Sequence, residues 1–231
     1  MNGVVLVNKP PGPTSHDVVR RIRALAKGAR VGHAGTLDPR AQGLLLILVG
    51  DATKQQREFM AGEKEYVAAI RLGATSSTDD AEGKITAMSN AQIPMTNAVR
   101  RTLQSFVGET AQVPPAYSAV KIGGTKAYEA ARRGKPLTLK PRGVTIKEIE
   151  LLEYRYPALK IRVACAAGTY IRALARDIGK KLGCGGYLSA LTRSRSGNFL
   201  LKDAVPLSSL TSQNLAQHLL PSTAIPSTLN R

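Results

Sequence analysis

The stretch Gly32-His33-Ala34-Gly35-Thr36-Leu37-Asp38-Pro39, followed by Gly43-Leu44-Leu45-Leu46-Ile47-Leu48-Val49, constrains this chain more than any other. Gly opens unusual backbone angles and Pro fixes one, so the loop is shaped rather than floppy. The apolar run reads as a buried strand, which gives the loop a rigid neighbour. One carboxylate, Asp38, is thereby held where it can meet a ligand at a fixed distance. Asp is also common in plain turns, so Asp38 ahead of Pro39 has a structural reading beside the chemical one.

The setting of that acid is strongly basic. Lys and Arg number 33 against 16 Asp and Glu, a formal net charge of +17. Residues 121–202 alone hold 18 basic against 5 acidic side chains. A surplus concentrated in one segment is what a phosphate-facing surface requires, and it points to nucleic acid as the partner.

The length of 231 residues suffices for one large domain or two small ones with a proper core. The two cysteines, Cys165 and Cys184, share no metal-ligand spacing with His16, His33 or His218, so no metal site is expected. The first residues lack the basic-then-apolar pattern of a signal peptide. The longest apolar run, Leu44 to Val49, is too short to span a bilayer. These features make a cytoplasmic protein with no membrane partner the expectation.

Val4 to Val7 reads as a strand ending in the stiff loop Asn8-Lys9-Pro10-Pro11-Gly12-Pro13. Ser15 is placed to cap a helix that turns Val18, Val19, Ile22, Leu25 and Ala26 inward. A strand is expected at 66–72, then an acidic turn at Asp79–Glu82 facing away from phosphate. A helix follows from Thr96 to about Phe106. Pro114-Pro115 marks an extended or edge segment, and Lys126 to Arg133 a basic helix leading into an exposed arm. Strands at 144–154 and 159–166 precede a helix opened by Gly168-Thr169-Tyr170-Ile171-Arg172. A strand over 188–200 breaks at Ser196-Gly197, and a short helix is expected at 206–220. Strands and helices mix without βαβ alternation, so the fold class is α+β. The expected organisation is one catalytic domain over 1–205, with a short C-terminal helix and tail over 206–231.

Several chemistries drop out. The chain contains no P-loop, no Gly-x-Ser-x-Gly elbow, no dinucleotide fingerprint and no zinc-deaminase signature. What remains is Asp38, an aromatic at Tyr66, and the helix-opening pair Tyr170 and Arg172. Without a cofactor the acid must serve as nucleophile or base, and either role needs its ionised form. A neighbouring arginine favours that form, and Arg172 is the best candidate. The aromatic rings can stack on a nucleobase.

The ordered blocks Val5-Leu6-Val7-Asn8-Lys9-Pro10-Pro11-Gly12, Gly32–Pro39, Gly50-Asp51-Ala52-Thr53-Lys54, Tyr66, Tyr117-Ser118-Ala119-Val120-Lys121, Gly168–Arg172 and Leu182-Gly183-Cys184-Gly185 resemble the TruB-type tRNA pseudouridine synthases. The resemblance implies a pseudouridine synthase fold, a mixed and mostly antiparallel sheet with helices around a central RNA cleft. It implies an isomerase that converts one uridine of the tRNA T loop, position 55 in RNA numbering, to pseudouridine. The base is detached from the ribose, turned and rejoined through carbon, with no metal or cofactor. The family's catalytic aspartate falls on Asp38, its base-stacking tyrosine on Tyr66, and the arginine paired with the aspartate on Arg172, beside Tyr170. The histidine that holds the target base out of the loop falls on His33, and the lysine of the N-terminal motif on Lys9. Residues 121–142 look like the insertion that closes on RNA, where Lys121, Arg132 and Arg133 are the candidate RNA contacts. The implied partner is the T arm of tRNA, with no protein partner required and a monomeric enzyme. Many relatives continue into a small RNA-binding domain of the PUA type; beyond Lys202 only the short helix and tail are expected here. Two rival readings stand beside this one: an RNA-binding or tRNA-folding protein whose catalysis is incidental, and a synthase for another RNA.

Overall fold

A computed structural model describes residues 1–89 and 92–221. The chain begins β1 (Gly3–Lys9), α1 (Ser15–Leu25), β2 (Val31–Ala34), β3 (Gln42–Val49), α2 (Gln56–Ala61), β4 (Lys64–Leu72), β5 (Ala74–Ser76), β6 (Ile85–Ala87), α3 (Thr96–Gln104) and β7 (Gly108–Gln112). It continues β8 (Lys121–Ile122), β9 (Thr125–Lys126), α4 (Ala127–Arg132), β10 (Arg142–Arg155), β11 (Ala158–Cys165), α5 (Ile171–Lys181), β12 (Gly186–Ser196), β13 (Phe199–Leu200) and β14 (Val205–Pro206). These elements divide into two compact units: Met1–Tyr66 with the chain from Leu191 onward, and Val67–Ala190. The class is α+β, as the pattern of elements implies, and the strand pairing is mostly antiparallel, as the family resemblance implies.

In the first unit β1 and β3 pair antiparallel from Gly3 opposite Val49 to Lys9 opposite Gly43. β2 pairs antiparallel with β3, His33 lying opposite Ile47. Thr192 and Arg193 of β12 run parallel beside Gln42 and Gly43. Every residue of β3 from Gly43 to Val49 is buried, so the strand is covered on both faces. An unbroken apolar run is the sequence such a strand needs. Val4, Leu6, Leu44, Leu46, Leu48 and Phe59 form one side of this core.

Two local details differ from expectation. β2 stands where the sequence suggests only loop, because a four-residue strand containing Gly32 carries no readable alternation. Helix α1 is capped by Thr14, not Ser15. The Thr14 side chain accepts from the Asp17 amide, and Asp17 accepts from the Thr14 amide at 2.9 Å. This reciprocal box satisfies two amides at the helix start and leaves the Ser15 hydroxyl for another task.

In the second unit β4, β11, β10 and β7 lie side by side in that order, with β10 antiparallel to both neighbours. β7 is the edge strand and runs on toward Pro114-Pro115, consistent with the extended edge segment expected there. β5 and β6 form the hairpin around the acidic turn. Helix α5 buries Ile171, Leu174, Ala175 and Ile178, the apolar face that its spacing predicts.

Over 206–220 the expected helix is replaced by two 3-10 turns, Leu207–Ser209 and Leu215–His218. Short polar side chains take the backbone bonds that a helix would use: Ser209 donates to Pro206 O, and Thr211 and Asn214 cap each other's amides. The tail part of that expectation, from residue 222 on, lies outside the described residues. Among the described residues no helix is long and apolar enough to cross a membrane.

Gly43 fixes the meeting of β3 with β12. Its φ is +102°, and an added Cβ would lie 2.5 Å from the Arg193 carbonyl oxygen. Backbone cannot step aside as a flexible side chain can. Gly43→Ala is therefore expected to lose about 2–4 kcal/mol of stability, read as a lowered urea midpoint with unchanged slope.

Candidate active site

The Asp38 loop is assembled inside the first unit by two buried cations and one hydroxyl. Lys9, 0% exposed, stands at the end of β1. Its Nζ donates to the carbonyls of Pro10 (2.9 Å), Pro39 (3.0 Å) and Ala41 (2.7 Å). Arg193, 1% exposed, comes from β12; its Nε donates to Leu44 O at 2.7 Å and its Nη2 to Gly35 O at 2.9 Å. Ser15 Oγ donates to Leu37 O at 3.0 Å and accepts from Leu37 N at 2.9 Å. The Gly12 amide adds a bond to Pro39 O at 2.8 Å. Residues 35, 37, 39 and 41 are all pinned, and the half-buried Asp38 sits between them.

The charges act in the same place. Burial pulls the Lys9 ammonium down to about 8, opposed first by the attraction of the Asp38 carboxylate and then by Asp17. The consequence is electrostatic: a desolvated cation interacts with the Asp38 carboxylate, and burial weakens the screening between them.

His33 lies on β2, and its ring meets that of His16 edge-on at 5.3 Å between centroids. Burial, with His16 and Arg193 adding repulsion, lowers its pKa to about 4. The imidazole is therefore neutral at pH 7. Its Nδ1 is buried and finds no hydrogen-bond partner among the described residues. Tyr66, on β4, is 8% exposed. A cavity of about 520 Å³ opens beside the Lys9 motif, lined by Asn8, Pro10, Pro11, Arg21, Gln42 and Leu207 among others. Neither Asp38 nor His33 contributes to its wall.

In the second unit Arg172, in the first turn of α5, is buried. Its Nη1 lies 3.4 Å from Asp80 Oδ2 and donates to Thr78 O at 3.3 Å, while Nη2 donates to Tyr117 O at 3.1 Å. The turn read as merely acidic thus places one carboxylate on Arg172. Asp80 is further fixed by the Thr78 hydroxyl at 2.5 Å and the Glu82 amide at 3.0 Å. Tyr170 precedes the helix. Its amide donates to Gln112 Oε1 at 2.9 Å, and its carbonyl accepts from Gln112 Nε2 at 3.1 Å. The Arg142 guanidinium lies over the Tyr170 ring at 4.7 Å.

Lys121, Arg132 and Arg133 are exposed, Lys121 on β8 and the other two at the end of α4. Arg132 also lies 5.5 Å from the centre of the Tyr128 ring. The structure therefore joins Lys9 and Asp38 in the first unit, and Tyr170 and Arg172 at one helix start in the second. Ser15, Arg193, Asp80 and Gln112 escape the sequence reading. Each acts on a residue at least 22 positions away, and nothing local marks them. The signal available for Arg193 was its full burial, which sequence alone does not display.

A family model described as "TruB family pseudouridylate synthase (N terminal domain)" matches residues 23–171, and one for the "tRNA pseudouridylate synthase B C-terminal domain" matches residues 172–226. This chain belongs to the TruB family. The tRNA pseudouridine synthase B of Francisella philomiragia is 46% identical over 95% of this chain and 73% of its own length. That of Clostridium kluyveri is 42% identical over 96% of this chain and 76% of its own. Among solved structures, the Cbf5-Nop10-Gar1 complex contains a chain 29% identical, with a TM-score of 0.76, over 96% of this chain and 61% of that one. An H/ACA RNP bound to a substrate RNA containing 2'-deoxyuridine contains another, 31% identical, with a TM-score of 0.67, over 90% of this chain and 52% of that one.

Lys9→Met removes the donors from three carbonyls, and the TruB-family core is expected to lose about 2–3 kcal/mol. The pH dependence has a definite sign. Between about 8 and 10.5 the folded chain has released the Lys9 proton while the unfolded chain still holds it, so stability from this group rises with pH. Urea titrations across that window should show the slope in the parent and its loss in Lys9→Met.

Proposed function

We propose that this protein isomerises uridine to pseudouridine in tRNA, at position 55 of the T loop, with Asp38 as the group that acts on the nucleotide. The pinned loop around Asp38 carries this reading. A plain turn aspartate needs no buried ammonium, guanidinium and hydroxyl to fix both of its flanks. The family membership and the names of the curated relatives support the same reaction.

A T-loop uridine is stacked and out of reach, so the base must be swung out, at a cost of a few kcal/mol. The basic segment 121–202 offsets this through phosphate contacts, with Lys121, Arg132 and Arg133 among the groups that make them. Tyr66 offers a ring for the extruded uracil and a hydroxyl for proton transfer. His33, neutral at pH 7, meets RNA by stacking or hydrogen bonding rather than as a cation.

Asp38 serves as nucleophile or base while the glycosidic C–N bond breaks and a C–C bond forms. The uracil carbon loses its proton and the freed nitrogen gains one, so no oxidant or reductant enters. Arg172 is assigned, by its motif position, as the arginine that partners the aspartate. On this reading tRNA is the only partner required, a monomer suffices, and the place of work is the cytoplasm.

The likeness to the chain of an H/ACA RNP favours a second reading, in which a guide RNA selects another target. A T-loop minihelix treated with this protein alone separates the two: modification supports the first, and none supports the second.

Asp38→Asn is expected to abolish product in that assay while tRNA binding persists; normal product formation would remove Asp38 from its role. Raising salt from about 50 to 200 mM should weaken tRNA binding by about a thousandfold or more and leave the single-turnover rate of bound RNA nearly unchanged. A salt-independent affinity would contradict the phosphate contacts.

A further inference from the structure

Helix α5 carries a second inward-reaching arginine one turn beyond Arg172. Arg176 Nη1 donates to Asp79 Oδ2 at 2.8 Å, Nε to Asp177 Oδ1 at 2.9 Å, and Nη2 to Val113 O at 2.9 Å. Residues four apart share a helix face, and both arginines reach the same two segments. Arg172 takes Thr78, Asp80 and Tyr117; Arg176 takes Asp79 and Val113. Consecutive aspartates of one turn thus go to successive turns of one helix.

Asp79 occupies a costly state. Its φ is +63°, in the left-handed region that side chains other than Gly, Asn and Asp rarely enter. Its side chain is 14% exposed, and burial pushes its carboxyl above the usual range although Arg176 and Arg172 pull it down. The Leu188 amide donates to its carbonyl at 3.0 Å, so the residue is held from both sides. A surface turn needs none of this. The guanidinium of Arg176 is committed to protein acceptors through Nε and both Nη atoms, which fits a brace better than a phosphate contact.

We infer that the Asp79–Arg176 pair is a positioning device: it locks the 78–80 turn and the 113–117 segment to α5, and so fixes the direction in which Arg172 presents its guanidinium. This rests on the assignment of Arg172 proposed above. Because Asp80, Thr78 O and Tyr117 O are among the groups that orient Arg172, loosening the turn loosens Arg172 without touching RNA.

The test compares single-turnover pseudouridine formation on a T-loop RNA with the Kd for that RNA. Asp79→Asn tolerates the left-handed backbone and loses only the charge. Asp79→Gly relaxes the backbone altogether. Asp79→Asn, Asp79→Gly and Arg176→Met are expected to slow the bound-state step by about tenfold or more, with Kd within about twofold of the parent. Arg176→Lys, which keeps the charge but not the fork, should recover part of the rate. Parental rates in Asp79→Asn and Arg176→Met would overturn the inference, as would full recovery in Asp79→Gly, which would reduce residue 79 to a backbone matter. Arg172→Lys is run beside them. A slow Arg172→Lys with a fast Asp79→Asn overturns the brace alone; a parental Arg172→Lys overturns the assignment of Arg172 and the brace with it.

Discussion

A buried ammonium solvated by three carbonyls is the constraint from which the first unit follows. Taking a lysine out of water is costly unless each of its protons finds an acceptor. Lys9 meets this condition only if Pro10, Pro39 and Ala41 all turn their oxygens inward. That requirement fixes the path of the chain on both sides of Asp38. It also fixes where β1 must end, since Lys9 is the last residue of the β1–β3 ladder and lies opposite Gly43. Gly43 in turn has to lack a side chain so that Arg193 can pass, and the Arg193 guanidinium closes the loop at Gly35. Lysine, glycine and arginine are three parts of one arrangement.

The second unit handles its buried cations differently, and the difference has electrostatic consequences. Lys9 and Arg193 are bonded to neutral carbonyls, which satisfy their protons but leave their charge in place. Arg172 is paired with the carboxylate of Asp80, and Arg176 with those of Asp79 and Asp177. A positive field therefore persists around Asp38. Around α5 the gain is directional, because a fork held by several acceptors has one orientation. The basic surplus of residues 121–202 is thus not one uniform surface. Part is spent internally, and the exposed part includes Lys121, Arg132 and Arg133.

What the sequence made legible, and what it hid, divides along the distance over which each residue acts. β3 was readable because its burial on both faces leaves an apolar run, and α5 because its apolar face recurs at helical spacing. Asp38 stood out through its own neighbours, Gly35, Pro39 and the strand beyond. Thr14 and Ser15 are both good caps by type; only the Asp17 amide decides between them, and Ser15 is claimed by Leu37 far along the chain. The turn at Asp79–Glu82 looked simply acidic because its partners, Arg172 and Arg176, lie more than ninety residues away. The helix expected over 206–220 failed where Ser209, Thr211 and Asn214 bonded their own backbone, a competition that apolar spacing does not register.

His33 is a group held neutral within a strongly basic chain. A proton on residue 33 would face the positive charge of Arg193 and the neighbouring His16. The packing against His16 and the charge of Arg193 work with burial to keep the proton off His33. What remains is a flat ring with ordinary hydrogen-bonding capacity, suited to the face or edge of an unstacked base. RNA loops are distinguished by splayed bases more than by their uniform backbone. On the proposed function, exposed cations supply grip and neutral rings supply discrimination. On that division, a substitution that restored charge at residue 33 would strengthen attachment to any RNA while weakening the choice among them.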